Sequence, residues 1–297
     1  MKKQALISVH DKSGIVDFAR ELTQKHDFEI ISTGGTAKLL KENNISVVEV
    51  SEITKFPEML DGRVKTLHPV VHAGILARRD KKDHLNAVEK LNIGLIDLVV
   101  INLYPFEEVS SRSGVTLDEA IENIDIGGPS MIRSAAKNYK AVTVVCDNSD
   151  FPLVLNEFEK NNGQTSESFR EKMAAKAYSR TSQYDKAITS YLSLKNSNNG
   201  NRHQNDKFPD TLNLNLKLKQ ILRYGENPHQ NGALYVPVAS KQGLANAVIL
   251  QGKGLSYNNF LDLESAWNIA SEFNIKVPIS VIVKHNNPCG VAILKDL

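Results

Sequence analysis

The chain has 297 residues, 41% of them hydrophobic, which is enough apolar material for two globular domains of ordinary size. Its 36 Lys and Arg residues nearly balance its 34 Asp and Glu residues, so a general attraction to nucleic acid or to an anionic membrane is excluded. The two cysteines form no C-x-x-C pair, and no apolar run is long enough for a signal peptide or a membrane span, so the sequence predicts a cytoplasmic protein.

The first half of the chain alternates short apolar runs with helical patterns. The pattern predicts strands at 5–9, 28–32, 45–50, 95–104 and 141–146 and helices at 13–26 and 34–44. The run LIDLVVINLY is the longest of them and is typical of a central strand. Strands that alternate with helices predict an α/β fold, in which a parallel sheet with right-handed crossovers is covered on both faces.

Residues 149–194 follow a helical pattern, and then the composition changes. The stretch KNSNNGNRHQNDKFPD has almost no apolar side chains and predicts a flexible linker. A second apolar region follows, and its last predicted strand, at 278–285, lies near the end of the sequence. We predict two domains, 1–196 and 211–297, joined by a linker at 197–210, and expect the chain to be the front part of something longer.

Polar loops that contain glycine or follow a strand recur along the first domain. They are HDKSG (10–14), STGGT (32–36), NLYPF (102–106) and DIGGPS (125–130). In open parallel sheets ligands bind at the carboxyl ends of the strands, where glycines let backbone N–H groups at a helix N-terminus approach an anion. Because neither a Walker A motif nor a G-x-G-x-x-G motif occurs here, the pattern favours a phosphorylated small molecule over ATP or a dinucleotide.

The stretch DGRVKTLHP (61–69) carries two cations, a hydroxyl and an imidazole, and predicts an anion clamp, a metal site or a solvated loop. No third ligand with suitable spacing accompanies His68 and His72, and Pro69 favours a helix start, so helix capping by His68 is favoured over metal binding. The candidate donors of an anion clamp are Ser8, Lys12, Thr33, Thr36, Arg63, Lys65 and Thr66. Their number favours the clamp.

A second loop, ENIDIGGPSMIRSAAKN (122–138), places Asp125 ahead of a Gly-Gly helix start and Lys137 about three turns further on. Taken alone, the carboxylate is typical of an N-cap and the lysine of a side chain that complements the helix dipole. Together with Tyr104 and Lys65, the same residues predict proton donors, a proton acceptor and oxyanion stabilisation for chemistry on a nitrogen-rich substrate. The residues by themselves leave both interpretations open.

Eight strings occur in an order that resembles a known family: SVHDKSG, STGGTAKLL, DGRVKTLHPVVHAGIL, NLYPFE, ENIDIGGPSMIRSAAKN, LRYGENPHQ, LSYNN and KHNNPCG. They resemble the bifunctional purine-biosynthesis enzymes that combine IMP cyclohydrolase with AICAR transformylase. The resemblance implies a methylglyoxal-synthase-like domain that closes the ring of formamido-AICAR ribonucleotide (FAICAR) to give IMP and water, without a metal or cofactor. It also implies the incomplete start of a cytidine-deaminase-like α/β transformylase domain, whose co-substrate is 10-formyltetrahydrofolate.

The same resemblance implies site residues in the first domain. The nucleotide phosphate and ribose would be held by His10, Asp11, Lys12, Thr33, Gly34, Gly35, Thr36, Arg63, Val64, Lys65 and Thr66. The base would be lined by Ile101, Asn102, Asp125 and Ile126, and backbone N–H groups near Gly127 would stabilise an oxyanion. Lys137 matches the family's proton donor or acceptor, and Lys65, Tyr104 and Asp125 match its other catalytic positions.

In the second domain, Arg223 and Tyr224 match AICAR-binding positions, and Lys284 with His285 match the catalytic pair, in which His285 is the base. Because the family's transformylase domain extends well past Leu297, we expect this chain to lack transformylase activity and its second domain to be poorly packed. The family also implies a homodimer whose small-molecule partners are AICAR, FAICAR and IMP.

Two other functions fit parts of the pattern. A non-catalytic, nucleotide-binding regulatory module of the same fold would need the anion clamp but not Lys137, Tyr104 and Lys65. A methylglyoxal-synthase-like lyase would use an aspartate beside the phosphate on a smaller chain, and the long helix predicted at 165–193 argues against it.

Overall fold

A computed structural model shows the chain as two compact units, Met1–Arg202 and His203–Leu297. The described residues are 2–104, 106–110, 112, 114–197, 214, 216–237, 243–273 and 277–294. Apart from Ser197, the linker predicted at 197–210 lies outside them, so the domain boundaries stay a prediction. Within the described parts, no helix combines the length and the apolar character needed to cross a bilayer.

The first unit is built on a parallel sheet of five strands. They are β1 (Lys3–Val9), β2 (Phe28–Ser32), β3 (Val47–Glu49), β4 (Ile96–Asn102) and β5 (Thr143–Val145). Their order is β3-β2-β1-β4-β5, and each neighbouring pair is parallel. From β1 the chain adds β2 and then β3 on one side of the sheet, and it then adds β4 and β5 on the other side of β1. The strand order therefore reverses between β1 and β4.

Helices connect these strands and cover the sheet. They are α1 (Ile15–Lys25), α2 (Gly34–Glu42), α3 (Val50–Thr54), α4 (Pro69–Leu76), α5 (Lys82–Lys90), α6 (Phe106–Ser110), α7 (Leu117–Glu122), α8 (Gly127–Lys137), α9 (Phe151–Lys160) and α10 (Glu167–Ser197), with 3₁₀ turns at Leu60–Gly62 and Asn148–Asp150. The α1 helix buries Ile15, Phe18 and Leu22, whose spacing puts them on one face. The α10 helix packs against α6, α8 and β5.

The core of the first unit lies between the sheet and its helices. Leu6, Ile7, Leu98 and Val99 on the two central strands have 0% exposure. Strands covered on both faces need nearly continuous apolar sequence, which is why β1 and β4 show no alternation of polar and apolar residues. Full burial of each such side chain contributes about 1.5–3 kcal/mol relative to exposure. The predicted fold class, α/β with a parallel sheet, is confirmed.

Three predicted strands are shorter than their apolar runs, those at 45–50, 95–104 and 141–146. The strand predicted at 45–50 is only β3, because Val50 already belongs to α3. A capping box starts that helix: the Glu49 N–H donates to Glu52 Oε1 at 3.0 Å. The capping box gives Val50 a helical position that its β-branched side chain does not predict.

The described residues of the second unit form two separate antiparallel pairs and a helix. They are β6 (Leu216–Ile221), β7 (Ala233–Pro237), a 3₁₀ turn (Leu244–Asn246), α11 (Tyr257–Ser271), β8 (Ile279–Lys284) and β9 (Asn287–Ile293). β6 pairs with β7 and β8 pairs with β9, and α11 packs against β8 and β9. The strand predicted at 278–285 is thus present as β8.

Candidate functional site

A cavity of about 720 Å³ lies at the carboxyl edge of the parallel sheet, at the β1–β4 reversal point. Loops that leave adjacent strands in opposite directions open a crevice at such a point. The cavity is lined by most of the residues predicted for the first domain: His10, Lys12, Thr33, Gly34, Gly35, Thr36, Arg63, Lys65, Thr66, Ile101, Asn102, Tyr104, Asp125, Ile126 and Gly127. The structure therefore brings together residues that are far apart in sequence.

Two predicted nucleotide-binding residues lie beside the cavity and shape its loops. Asp11 accepts the N–H of Ser13 on its carboxylate at 2.9 Å, and its hydrogen bonds with Ser13 lower the pKa of the Asp11 carboxyl. Val64 forms an isolated antiparallel bridge with Met59 through its backbone. Neither residue is part of the cavity lining.

Lys137 is the one predicted catalytic residue of the first unit that the structure does not bring to the cavity. It is the last residue of α8 and is exposed, whereas Gly127 at the start of that helix lines the cavity. The rise of an α-helix puts about 15 Å between these two positions along the axis. Within one chain, Lys137 is thus far from the groups that its predicted role requires.

Glycines at the start of α2 make room for two lysine side chains. Gly34 has a φ of 54°, in the left-handed region that favours glycine, and a Cβ there would lie 2.9 Å from Lys65 Nζ. A Cβ on Gly35 would lie 3.7 Å from Lys12 Cε. Two ammonium groups and the N-terminus of α2 consequently face the same space, which is a suitable environment for a phosphate.

The Thr36 hydroxyl is already engaged within the protein. Thr36 is buried, and its Oγ1 accepts the N–H of Val9 at 3.1 Å and donates to the carbonyl oxygen of Val9 at 3.0 Å. This pair of bonds ties the start of α2 to the end of β1. Thr36 was predicted as a hydroxyl donor to the anion, but here its hydroxyl holds two walls of the cavity together.

Carboxylates pair with two cations of the predicted clamp. Lys65 Nζ lies 2.6 Å from Glu58 Oε2, and the Arg63 guanidinium forms an ion pair with Glu122. The side chains of Arg63 and Glu122 are 64% and 59% exposed, so their pair contributes little to stability. A phosphate dianion can therefore replace this carboxylate at small cost.

The loop before α8 presents Asp125 to the cavity. Its Oδ1 accepts the N–H of Gly128 at 2.8 Å, so one carboxylate oxygen binds an N–H of the first turn of α8, whose N-cap residue is Ile126. Burial raises the pKa of the Asp125 carboxyl, and the bond from Gly128 opposes that rise. A Cβ on Gly127 would lie only 2.6 Å from Thr66 Oγ1, so the Thr66 hydroxyl sits against the same helix start.

Tyr104 and His10 form one side of the cavity mouth. Their ring centroids are 4.1 Å apart, and the Tyr104 side chain is 41% exposed. Ile126 is also exposed at this cavity, whereas Ile101 is buried at the end of β4. Tyr104 is therefore accessible to a ligand in a way that Ile101 is not.

Asn102 uses its side chain to hold the loop that follows β1. Its Oδ1 accepts the N–H groups of His10 and Asp11 at 2.6 and 3.0 Å, and its Nδ2 donates to the Asp11 carbonyl and to Asn148 Oδ1, each at 2.9 Å. These bonds use two donors and two acceptor directions, which is the full capacity of an Asn side chain. Asn102, predicted to line the base, lines the cavity, and its amide also organises the backbone of the loop after β1.

Sequence reasoning missed the two residues that support these loops, Asn148 and Tyr184. The Tyr184 hydroxyl accepts the N–H of Asp125 at 2.8 Å, and its side chain is 1% exposed. Its position on an apolar stripe gave no signal for this bond. Asn148 follows β5 and could have been found by the rule that selected the other strand-end loops.

The two histidines of the first segment have separate partners. His68 is the N-cap of α4, and its Nδ1 accepts the N–H of Val70 at 3.3 Å. His72 Nδ1 lies 3.0 Å from Ser134 Oγ, and burial lowers the pKa of the His72 imidazole. Helix capping by His68, the favoured interpretation, is confirmed.

The candidates of the second unit lie on two features of that unit. The Arg223 guanidinium lies 4.9 Å from the ring centroid of Tyr224, and hydrogen bonds with Ser256 and Arg223 lower the pKa of the Tyr224 phenol. Lys284 ends β8, and His285 occupies the following turn with a φ of 51°. Both Lys284 and His285 are exposed to solvent.

The turn that carries His285 is fastened by α11. The next residue, Asn286, has a φ of 63°, donates its N–H to Asp262 Oδ1 at 2.7 Å and accepts the Ser265 hydroxyl on Oδ1 at 2.6 Å. Two consecutive non-glycine residues in the left-handed region cost conformational energy, which these side-chain bonds offset. The imidazole is thereby held at the tip of the β8–β9 hairpin.

A model of the AICARFT/IMPCHase bienzyme matches residues 135–297, and a model of the MGS-like domain matches residues 14–130. Two similar curated proteins are the bifunctional purine biosynthesis proteins PurH of Listeria monocytogenes serotype 4b (strain F2365) and serotype 4a (strain HCC23). Each is 52% identical over 296 residues, which is 99% of this chain and 56% of the relative.

A solved structure resembles a large part of the chain. The crystal structure of ForH superposes with a TM-score of 0.57 at 31% identity and covers 65% of this chain and 100% of its own. By contrast, this chain spans only about 56% of the length of the PurH relatives.

Proposed function

The chain belongs to the AICARFT/IMPCHase bienzyme family, and from this premise we propose that its first unit closes the ring of FAICAR to give IMP and water. The observation that best supports this activity is a single cavity that faces the Gly34–Gly35 cradle, Lys65 and Asp125 together. An anion site and acid–base groups thus share one space, as the cyclisation of a nucleotide requires.

The phosphate end of the substrate would lie at the start of α2. Backbone N–H groups at Gly34 and Gly35, with Lys12 and Lys65 against them, supply the positive field. Arg63 would leave Glu122 and join the phosphate, because that exposed pair is weak. This arrangement orients the base toward the loop of Asp125.

The chemistry needs close approach, a proton acceptor and a proton donor. The carboxamide nitrogen attacks the formyl carbon and gives up one of its two protons, so a C–N bond closes the ring and the formyl oxygen takes the electron pair and then a proton. The hydroxyl of this carbinolamine then leaves as water, and the former formamide nitrogen loses its proton as the ring C=N bond forms. Because an amide is a poor nucleophile, holding the two groups in contact supplies much of the acceleration.

Asp125 is the best-supported proton acceptor. The raised pKa of its carboxyl makes it a stronger base than an ordinary aspartate, and Tyr184 and Gly128 fix its position. Lys65 and the accessible Tyr104 hydroxyl are the groups that would stabilise the oxyanion and protonate the leaving water. Lys65 would release Glu58 as the substrate binds.

Lys137 keeps the proton-transfer role only as a hypothesis carried by the family motif. Incubation of the protein with FAICAR, with IMP formation followed over time, tests both the activity and this assignment. We expect turnover in the wild type. Unchanged turnover in a Lys137→Leu variant would exclude a role for Lys137 in the mechanism. No turnover in the wild type would exclude the proposed cyclohydrolase activity.

One observation favours a second candidate, a nucleotide-binding regulatory module without catalysis. Lys137 lies outside the cavity, while the anion cradle is complete. Such a module would bind IMP tightly and leave FAICAR unchanged. The same incubation, together with an IMP binding measurement, distinguishes the two.

For the second unit we propose a part of the AICAR transformylase half, with 10-formyltetrahydrofolate as co-substrate. The motif positions of Arg223, Tyr224, Lys284 and His285 support this, as does the family match over residues 135–297. We further propose a homodimer in the cytoplasm. The free thiols of Cys146 and Cys289 agree with a reducing compartment.

A further inference from the structure

Asn148 connects the end of β5 to the loop that follows β1. Its Nδ2 donates to the carbonyl oxygens of Asp11 and Ser13 at 3.1 and 3.0 Å, and its Oδ1 accepts from Asn102 Nδ2 at 2.9 Å. The loop after β1 is thus gripped by Asn102 from β4 and by Asn148 from beyond β5. We call these two side chains the asparagine clasp.

This loop also has short-range hydrogen bonds: the Ser13 N–H donates to Asp11 Oδ1 at 2.9 Å, and Lys12 Nζ donates to the carbonyl oxygens of Val9 and His10 at 3.5 and 3.3 Å. It leads into α1 through Gly14, which has a φ of 71° and provides no side-chain cap to the helix. His10, Asp11, Lys12 and Ser13 are all exposed. The hydrogen bonds from the clasp connect this loop, and with it Lys12, to β4 and to the turn after β5.

Asn148 is itself held firmly. It starts the 3₁₀ turn Asn148–Asp150, whose N-cap Asp147 accepts the N–H of Ser149 at 2.9 Å. Lys176 on α10 bridges both ends of the turn, at 3.0 Å from Asp147 and 2.6 Å from Asp150. Because ion pairs with α10 hold the turn that contains Asn148, its side chain can hold the more exposed loop after β1 in place.

We propose that Asn148 is a positioning residue that holds Lys12 over Gly35 and so sets the affinity of the cavity for the phosphate of a nucleotide. The proposal rests on the proposed function of the cavity. The carbonyls that Asn148 holds belong to exposed residues, so water replaces the amide when it is removed. Its loss should move the loop without unfolding the unit.

The test compares ligands that differ only in the phosphate. Asn148→Ala removes all three bonds, and Asn148→Leu keeps about the same side-chain size but removes the two donors and the acceptor without adding a charge. Asn161→Ala is the matched control, because Asn161 caps α9 through Glu157 and does not line the cavity. Calorimetric titration of the full chain with IMP and with inosine gives the two affinities.

We expect both Asn148 variants to bind IMP about five- to tenfold more weakly, the effect of about one hydrogen bond, with inosine binding unchanged. In turnover of FAICAR, KM should rise while kcat stays within twofold, as is expected when only ground-state binding is lost. Equal losses for IMP and inosine, or no loss for either, would overturn the proposal. Asn161→Ala should match the wild type.

Failure of the proposed function gives a different result. If the wild type binds no IMP, the cavity is not a purine nucleotide site, and inorganic phosphate then becomes the probe. Weaker phosphate binding by Asn148→Ala than by the wild type would still support the positioning role. Equal binding, or no phosphate binding by the wild type, would refute it.

Discussion

The two units of the chain bury their apolar residues to very different extents. The first has a continuous core in which Leu6, Leu22 and Leu98 are fully inaccessible. In the described part of the second, the buried apolar side chains are Leu222 and Val236. On α11, Trp267 is 61% exposed, and Leu250 in the preceding segment is 91% exposed.

Topology accounts for the difference. In the first unit, crossover helices lie on both faces of a single sheet, so each central strand is buried on two sides. The described part of the second unit has two separate pairs of strands, and an isolated pair is only marginally stable in water. We infer that the stability of this chain resides in the first unit, and that the cavity lies there because precise positioning requires a rigid frame.

The largest expected effect separates the units by stability. Leu98→Ala in the central strand should lower the free energy of unfolding by about 2–5 kcal/mol, because it leaves a cavity in a packed core. Trp267→Ala, on the exposed face of α11, should change it by about 0.5 kcal/mol or less. Urea unfolding followed by circular dichroism measures both. Comparable losses from the two variants would show that the second unit also has a cooperative core.

The next largest effect concerns the rate of IMP formation, which should depend on residues of the first unit only. Lys65→Met should lower kcat for IMP formation by about 10²–10³, the usual result of removing a group that stabilises an oxyanion. The matched variant His285→Ala, in the second unit, should leave IMP formation at the wild-type rate. A loss confined to KM in Lys65→Met would limit that lysine to phosphate binding. A large loss of IMP formation in His285→Ala would contradict the assignment of this activity to the first unit.

A smaller effect is the dependence of turnover on pH. Burial raises the pKa of Asp125, so the base becomes protonated at a higher pH than an ordinary aspartate does, and kcat should fall as the pH drops through that raised value. The Asp125→Asn variant should have a low kcat, and its pH–rate profile should lack this decrease at low pH. Asp262→Asn, at the hairpin turn of the second unit, should retain it. A pH–rate profile that is identical in Asp125→Asn and the wild type would exclude Asp125 as the base.

The sequence predicted the buried strands and the loops that line the cavity, but not the side-chain bonds that join distant segments. The runs around Leu6 and Leu98 are apolar without alternation, which identifies buried parallel strands, and the loops after them gave most of the cavity lining. The bonds of Tyr184 and the pairing of Arg63 with Glu122 join distant segments through single side-chain atoms, for which no periodic pattern exists. The distance of Lys137 from the cavity could not be predicted either, because a motif gives the order of residues along the chain and not their separation in space.

We propose that the first unit of this chain closes the ring of FAICAR and that the second unit by itself does not transfer a formyl group. IMP formation by the wild-type protein, measured in parallel from FAICAR and from AICAR with 10-formyltetrahydrofolate, tests this proposal most directly. We expect IMP from FAICAR and none from AICAR, because the described second unit buries few apolar side chains and gives Lys284 and His285 no rigid frame. No IMP from FAICAR, or IMP from AICAR at a comparable rate, would contradict it.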